Sequence, residues 1–110
     1  MRVIEFKEGV YVEFPLTPAL EVIFEAIQRC WPYEHGNPVV TALQNGKHMR
    51  ESFHEKKRAV DLRSKNLPDS AAKHAFRDAL LEDLGDRDFD VILESEGKDQ
   101  EHFHCEFDPT

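Results

Sequence analysis

Cysteine is scarce in this chain. Cys30 and Cys105 are the two in 110 residues, they lie far apart, and no C-x-x-C spacing occurs. That excludes a disulfide framework and a cysteine-built metal site, and both residues read as buried small hydrophobes. Long apolar runs are also missing: none approaches the roughly 20 residues a membrane helix requires, so no membrane insertion is expected. The opening stretch, Met1-Arg-Val-Ile-Glu-Phe-Lys-Glu-Gly9, lacks the apolar segment and small-residue cleavage site of a secretory signal, which predicts a chain made in the cytoplasm. Basic residues are outnumbered, 14 against 22 acidic, for a net charge of −8, and the one dense basic stretch, Lys56-Lys57-Arg58, is short. A nucleic-acid partner is excluded on electrostatic grounds, because binding to phosphate backbones is driven by neutralising basic groups.

What is present is ordinary globular composition, 40% hydrophobic and 33% charged, in a length that suits one domain over residues 1–110. Ile4 and Phe6, then Val10, Val12 and Phe14, alternate with polar residues around Lys7-Glu8-Gly9 and predict an N-terminal hairpin. Thr17-Pro18 offers an N-cap and a first-turn proline, and Leu20, Ile23, Phe24, Ile27 and Trp31 recur at helical spacing, so a helix is expected over about 18 to 30. Val39 to Leu43 reads as a buried strand and Asn45-Gly46 as a sharp turn. The polar, unpatterned segment from Lys47 to Lys57 reads as a loop, and Arg58 to Arg63 as a strand with Val60 and Leu62 on one face and Ala59, Asp61 and Arg63 on the other. A second helix follows Asp69, carries Ala72, Ala75, Phe76, Ala79, Leu80 and Leu84 on one face, and ends at Gly85. Phe89, Val91 and Leu93 predict a further strand, Glu94 to Gln100 a polar turn, and His102 to Phe107 a last strand. The fold class is therefore α+β, a small, mainly antiparallel sheet with two helices.

Six histidines are present, and their placement matters more than their number. In the last strand Phe103, Cys105 and Phe107 form an apolar face, which puts His102, His104 and Glu106 together on the other. Two imidazoles at that spacing either decorate a solvated face or converge on one ion. Asp61, projecting from an inner strand, adds a carboxylate that needs a partner. Two histidines and one carboxylate make the three-ligand set of a catalytic zinc ion, whose fourth position stays open for water.

The stretch Ser52-Phe-His54-Glu-Lys-Lys-Arg-Ala59-Val-Asp61 resembles the S-x-H-x-x-G-x-A-x-D motif of the zinc D-Ala-D-Ala carboxypeptidases, the vancomycin-resistance dipeptidases, phage L-alanyl-D-glutamate endolysins and hedgehog signalling domains. Glu101-His-Phe-His104 resembles that superfamily's second element, an acid followed three residues later by histidine. The segment His102 to Pro109, with the upstream Val40-Thr41-Ala42 and Asn45-Gly46-Lys-His48, is similar to small phage and prophage members, so the likeness runs over roughly residues 38 to 109. It implies a hedgehog or DD-peptidase-like fold, Zn2+ held by His54, Asp61 and His104, and Glu101 as general base. It also implies hydrolysis of a peptidoglycan stem-peptide or related D-amino-acid peptide bond by a monomer. Such a protein would be carried in a phage particle or released to the cell wall through a holin-like pore.

Two departures stand out. The motif glycine is Lys57 here, and strict alternation carried back from the last strand puts Glu101 on the core face with Phe103, so it serves as base only if the strand starts after it or a bulge re-aims it. His102 reads either as a supporting or solvent-facing residue or as an oxyanion donor, and Ser52 either orients substrate or caps its loop. His48, Arg50 and Arg63 are candidates for holding a substrate carboxylate. His35 and His74 are expected at the surface. Two other readings remain: a non-catalytic zinc module of a phage particle and a metal-free interaction protein.

Overall fold

The computed structural model describes residues 3–44, 58–85 and 88–108. Its elements are β1 (Glu5–Phe6), α1 (Pro18–Cys30), a single 3-10 turn (Tyr33–His35), β2 (Val39–Gln44), β3 (Arg58–Arg63), α2 (Ser70–Leu84), β4 (Phe89–Glu94) and β5 (His102–Phe107). The strands form one sheet in the order β1-β2-β3-β5-β4. β1 pairs with β2 in parallel, and every other neighbouring pair is antiparallel. This is the expected α+β class.

Both helices pack on one face of the sheet. Leu20, Ile23 and Ile27 of α1, Phe76 and Leu80 of α2, and Val60, Leu62, Phe103 and Cys105 of the central strands share one buried core. Trp31, Phe76 and Phe103 run through it as consecutive edge-to-face contacts, with ring centroids 4.9 and 5.0 Å apart. The α2 stripe is narrower than the sequence suggests: Phe76 and Leu80 are buried and Ala72 and Leu84 pack partly, but Ala75 and Ala79 are exposed. The helix ends follow local chemistry. Asp69 caps α2 by accepting from the Ala72 N–H at 2.8 Å, and Gly85 supplies the left-handed C-terminal residue at φ 63°. At α1, Thr17 occupies the cap position, but its side chain makes no capping hydrogen bond; proline in the first turn sets the start instead.

The expected N-terminal hairpin does not form. Phe6 and Glu5 pair with Val40 and Val39 of β2, and after a turn at Gly9 (φ 91°) the segment from Val10 to Phe14 adopts no strand. β1 takes its partner from β2, more than thirty positions away, instead of from its near neighbour, and Tyr11 and Phe14 stay exposed. Cys105 is fully buried, whereas Cys30 is only half-buried, its thiol 3.6 Å from the Ala79 carbonyl; both are free thiols. Among the described residues no helix is long and apolar enough to cross a membrane.

The face away from the helices is the open one. Alternation along β3 and β5 sends Asp61, Arg63, His102, His104 and Glu106 to it, while Val60, Leu62, Phe103 and Cys105 point at the helices. A bulge in β2 completes it. Val40 pairs with Leu62 but Ala42 pairs with Asp61, so Thr41 is the extra residue. The shift turns small Ala42, not a bulkier neighbour, onto the open face beside Asp61.

Candidate functional site

Register brings Asp61 and His104 directly opposite each other on the two central strands, 43 residues apart in sequence. His104 Nδ1 lies 2.6 Å from Asp61 Oδ1, and its Nε2 lies 2.8 Å from Glu106 Oε1. Both ring nitrogens thus face carboxylates. Burial disfavours the charged ring, but the hydrogen bonds to Asp61 and Glu106 outweigh that and raise the His104 pKa above its usual value.

His102 is fixed differently. Its Nδ1 donates to the Gln100 carbonyl at 2.8 Å, which turns Nε2 toward the cluster, 3.8 Å from Asp61 Oδ2 and 3.7 Å from Glu94 Oε1. Glu94 ends β4 opposite His102, and its Oε1 also stands 3.8 Å from His104 Nδ1. Glu94 is a residue that reading along the chain placed in a polar turn. The signal for it was the face opposite Phe89, Val91 and Leu93, on which Asp90, Ile92 and Glu94 alternate.

Glu101 lies elsewhere. Its carboxylate is buried on the helix side of the sheet, where it accepts from Ser64 Oγ at 2.6 Å and from the Gly97 N–H at 2.8 Å and pairs with Lys73 Nζ at 2.6 Å. Those bonds, the Lys73 one foremost, bring its pKa down from the ordinary 4.5 to about 2. Alternation continues back through Glu101, and no bulge re-aims it toward Asp61 or His104. A carboxylate so fully engaged is a poor proton acceptor, so its position does not suit the general-base role expected of it. His54, with Ser52, His48, Arg50 and the motif position Lys57, lies outside the described residues. His74 is half-exposed and pairs with Glu96 at 2.9 Å, away from the cluster; His35 is half-buried.

The open-face cluster therefore holds three carboxylates, Asp61, Glu94 and Glu106, with two imidazoles. Among the described residues no three such side chains already converge as a metal cage. The donor chemistry nevertheless fits zinc. Imidazole and carboxylate are its usual nitrogen and oxygen ligands, and a ligating histidine ordinarily donates its other N–H to a carboxylate, the relation His104 has with Glu106. Two donors of a tetrahedral zinc stand roughly 3.3 Å apart, so Asp61 and His104 would separate by less than about 1 Å to share an ion.

Compared with protein-family models, with curated proteins and with solved structures, the chain matches none. The site is thus read from its own geometry.

Proposed function

We propose that the chain is a zinc-dependent peptidase that hydrolyses a short D-amino-acid peptide of the peptidoglycan stem type. The observation carrying this is the Asp61–His104 pair, on an open sheet face with His102, Glu94 and Glu106 around it. Asp61 and His104 would hold the ion, with His54 as the third donor that the sequence motif implies. When bound, zinc polarises a carbonyl and acidifies water.

The chain's own groups divide the remaining work. Glu106 holds the His104 ring by its far nitrogen and fixes the orientation of the other. Glu94, half-exposed and within 3.8 Å of both imidazoles, is the carboxylate placed to take a proton from water and return it to a leaving amine. His102 faces the same spot with Nε2, within reach of an oxygen on the substrate. Glu101 ties the start of β5 to α2 and acts as a strut.

That strut role favours one other reading, a zinc domain without turnover, because the acid that the motif names as base is spent on structure. One experiment separates them. Chelator-free protein is expected to carry about one zinc per chain, and His104→Ala and Asp61→Ala to lose it. With zinc in place, cleavage of stem-peptide fragments by wild type and not by Glu94→Gln supports the peptidase; a zinc-loaded wild type inert on every fragment supports the other reading. Absence of zinc uptake would remove both.

A further inference from the structure

One long side of β4 faces away from the sheet. Asp108 donates its N–H to the Asp88 carbonyl at 3.0 Å, and in an antiparallel ladder bonded and non-bonded pairs alternate, so Asp90, Ile92 and Glu94 are the residues that exchange hydrogen bonds with β5. Phe89, Val91 and Leu93 therefore turn their backbone N–H and C=O groups outward. Among the described residues nothing pairs with the outward N–H of Phe89 or Leu93. At the other margin β1 is two residues long, so β4, with six, is the margin that can take a further strand.

The outward donor between those two is occupied from within. Val91 donates its N–H to Asp90 Oδ1 at 2.9 Å, which puts a carboxylate at the middle of the edge, where an added strand needs a donor. That carboxylate screens what can pair. A strand that displaces it has to offer Asp90 a cation in exchange, since an uncharged strand only breaks the bond and an acidic one adds repulsion. A second copy is turned away for the same reason. Twofold antiparallel pairing centred on Val91 would join the outward groups of both copies along the whole strand, but it sets Asp88 of each copy against Glu94 of the other, in chains of net charge −8.

We infer that the β4 edge docks an extended segment of a partner protein, apolar along one flank and carrying lysine or arginine on the other, with Asp90 as its gate. The side chains of β4 specify both flanks. On the helix side Phe89 and Leu93 pack against the core but are only half-buried, so apolar residues of an added strand would cover them. On the open side Asp90 and Glu94, both exposed, stand at either side of Ile92, which is 44% exposed. The matching strand therefore reads cation, apolar, cation on that flank and apolar throughout the other. Main-chain hydrogen bonds supply the attachment and the two flanks supply the choice of partner. The inference rests on the register of β4 and stands with or without a metal at Asp61 and His104.

The test titrates the full chain with the end-blocked peptide Val-Lys-Val-Val-Val-Lys-Val and reads amide shifts and hydrogen exchange by NMR. Binding is expected to slow exchange at Phe89, Val91 and Leu93 and to leave Asp90, Ile92 and Glu94, already bonded to β5, nearly unchanged. The same peptide with glutamate for lysine should bind about tenfold more weakly or not at all. In Asp90→Asn, an exposed position whose exchange leaves the core intact, the preference for the lysine peptide over its threonine counterpart should fall about fivefold, the worth of one cross-strand ion pair. Lys98→Gln, in the turn after β4, should change nothing. Equal binding of the lysine and glutamate peptides, binding of neither, or an unchanged preference in Asp90→Asn would overturn the proposal. So would equal binding of Gly-Lys-Gly-Gly-Gly-Lys-Gly, which would reduce the effect to charge attraction. Sedimentation as a dimer with β4 protected before any peptide is added would hand the edge to a second copy and overturn it as well.

Discussion

Two polar clusters sit on opposite faces of this sheet, both attached to β5, and they are built to opposite rules. Around Glu101 every charge is answered: one carboxylate, one ammonium, one hydroxyl and one backbone N–H, with the acid 8% exposed. Around His104 the packing is looser, with three carboxylates, two imidazoles and side chains 19% to 45% exposed. Buried charge is tolerated only when paired and fully hydrogen-bonded, so the first cluster is a strut. The second stays partly exposed beside open hollows, which is what the proposed zinc ion and peptide require.

The contrast breaks most sharply at the two glutamates. Glu94→Gln is expected to lower turnover on a stem-peptide substrate by about 100-fold to 10,000-fold with zinc content unchanged, measured as kcat beside metal analysis. If Glu101→Gln instead produced that loss in a protein of normal stability, the roles assigned here would be reversed. Metal removal probes the open cluster as a whole. With free zinc about 1,000-fold above its dissociation constant, chelation should lower stability by about 4 kcal/mol, read as a drop in Tm. His104→Ala should show no response to chelator.

The closed cluster predicts a smaller, purely structural effect. Glu101→Gln leaves the Lys73 ammonium without its partner and should cost about 3 kcal/mol in urea unfolding, with zinc retained. It also predicts a pH dependence whose sign is set by the depressed pKa. The folded value is about 2 and the ordinary one 4.5, so this contribution is fully present above the ordinary carboxylate range and is lost as pH falls through 4.5 toward 2. In Glu101→Gln that part of the acid limb should flatten. Ser64→Ala, which removes one neutral donor from the same carboxylate, is the smallest of the set at about 1 to 2 kcal/mol. A larger loss for Ser64→Ala than for Glu101→Gln would contradict the view that the carboxylate is the centre of the strut.

Much of the fold was legible from local patterns. The boundaries of α1, β3 and β5 follow from apolar spacing, capping residues and period-two alternation, all set by neighbours within a few positions. The same alternation placed Asp61, His102 and His104 on one face and warned that Glu101 belonged to the other. The N-terminal hairpin was misread because the partner of β1 lies more than thirty positions away in β2. Glu94 was missed because its importance arises from a hairpin register, not from its neighbours.

By itself, then, the sequence determined the two helices, the strands from β2 to β5 and the composition of each strand face, because side-chain period and capping are local properties. The tertiary structure decided which donors meet. Asp61 touches His104 because β3 and β5 are neighbours in register, and Ala42 opens the space beside them because a bulge shifts β2 by one residue. Strand adjacency and register are settled by burial of the whole core, a collective quantity that no short stretch of chain encodes.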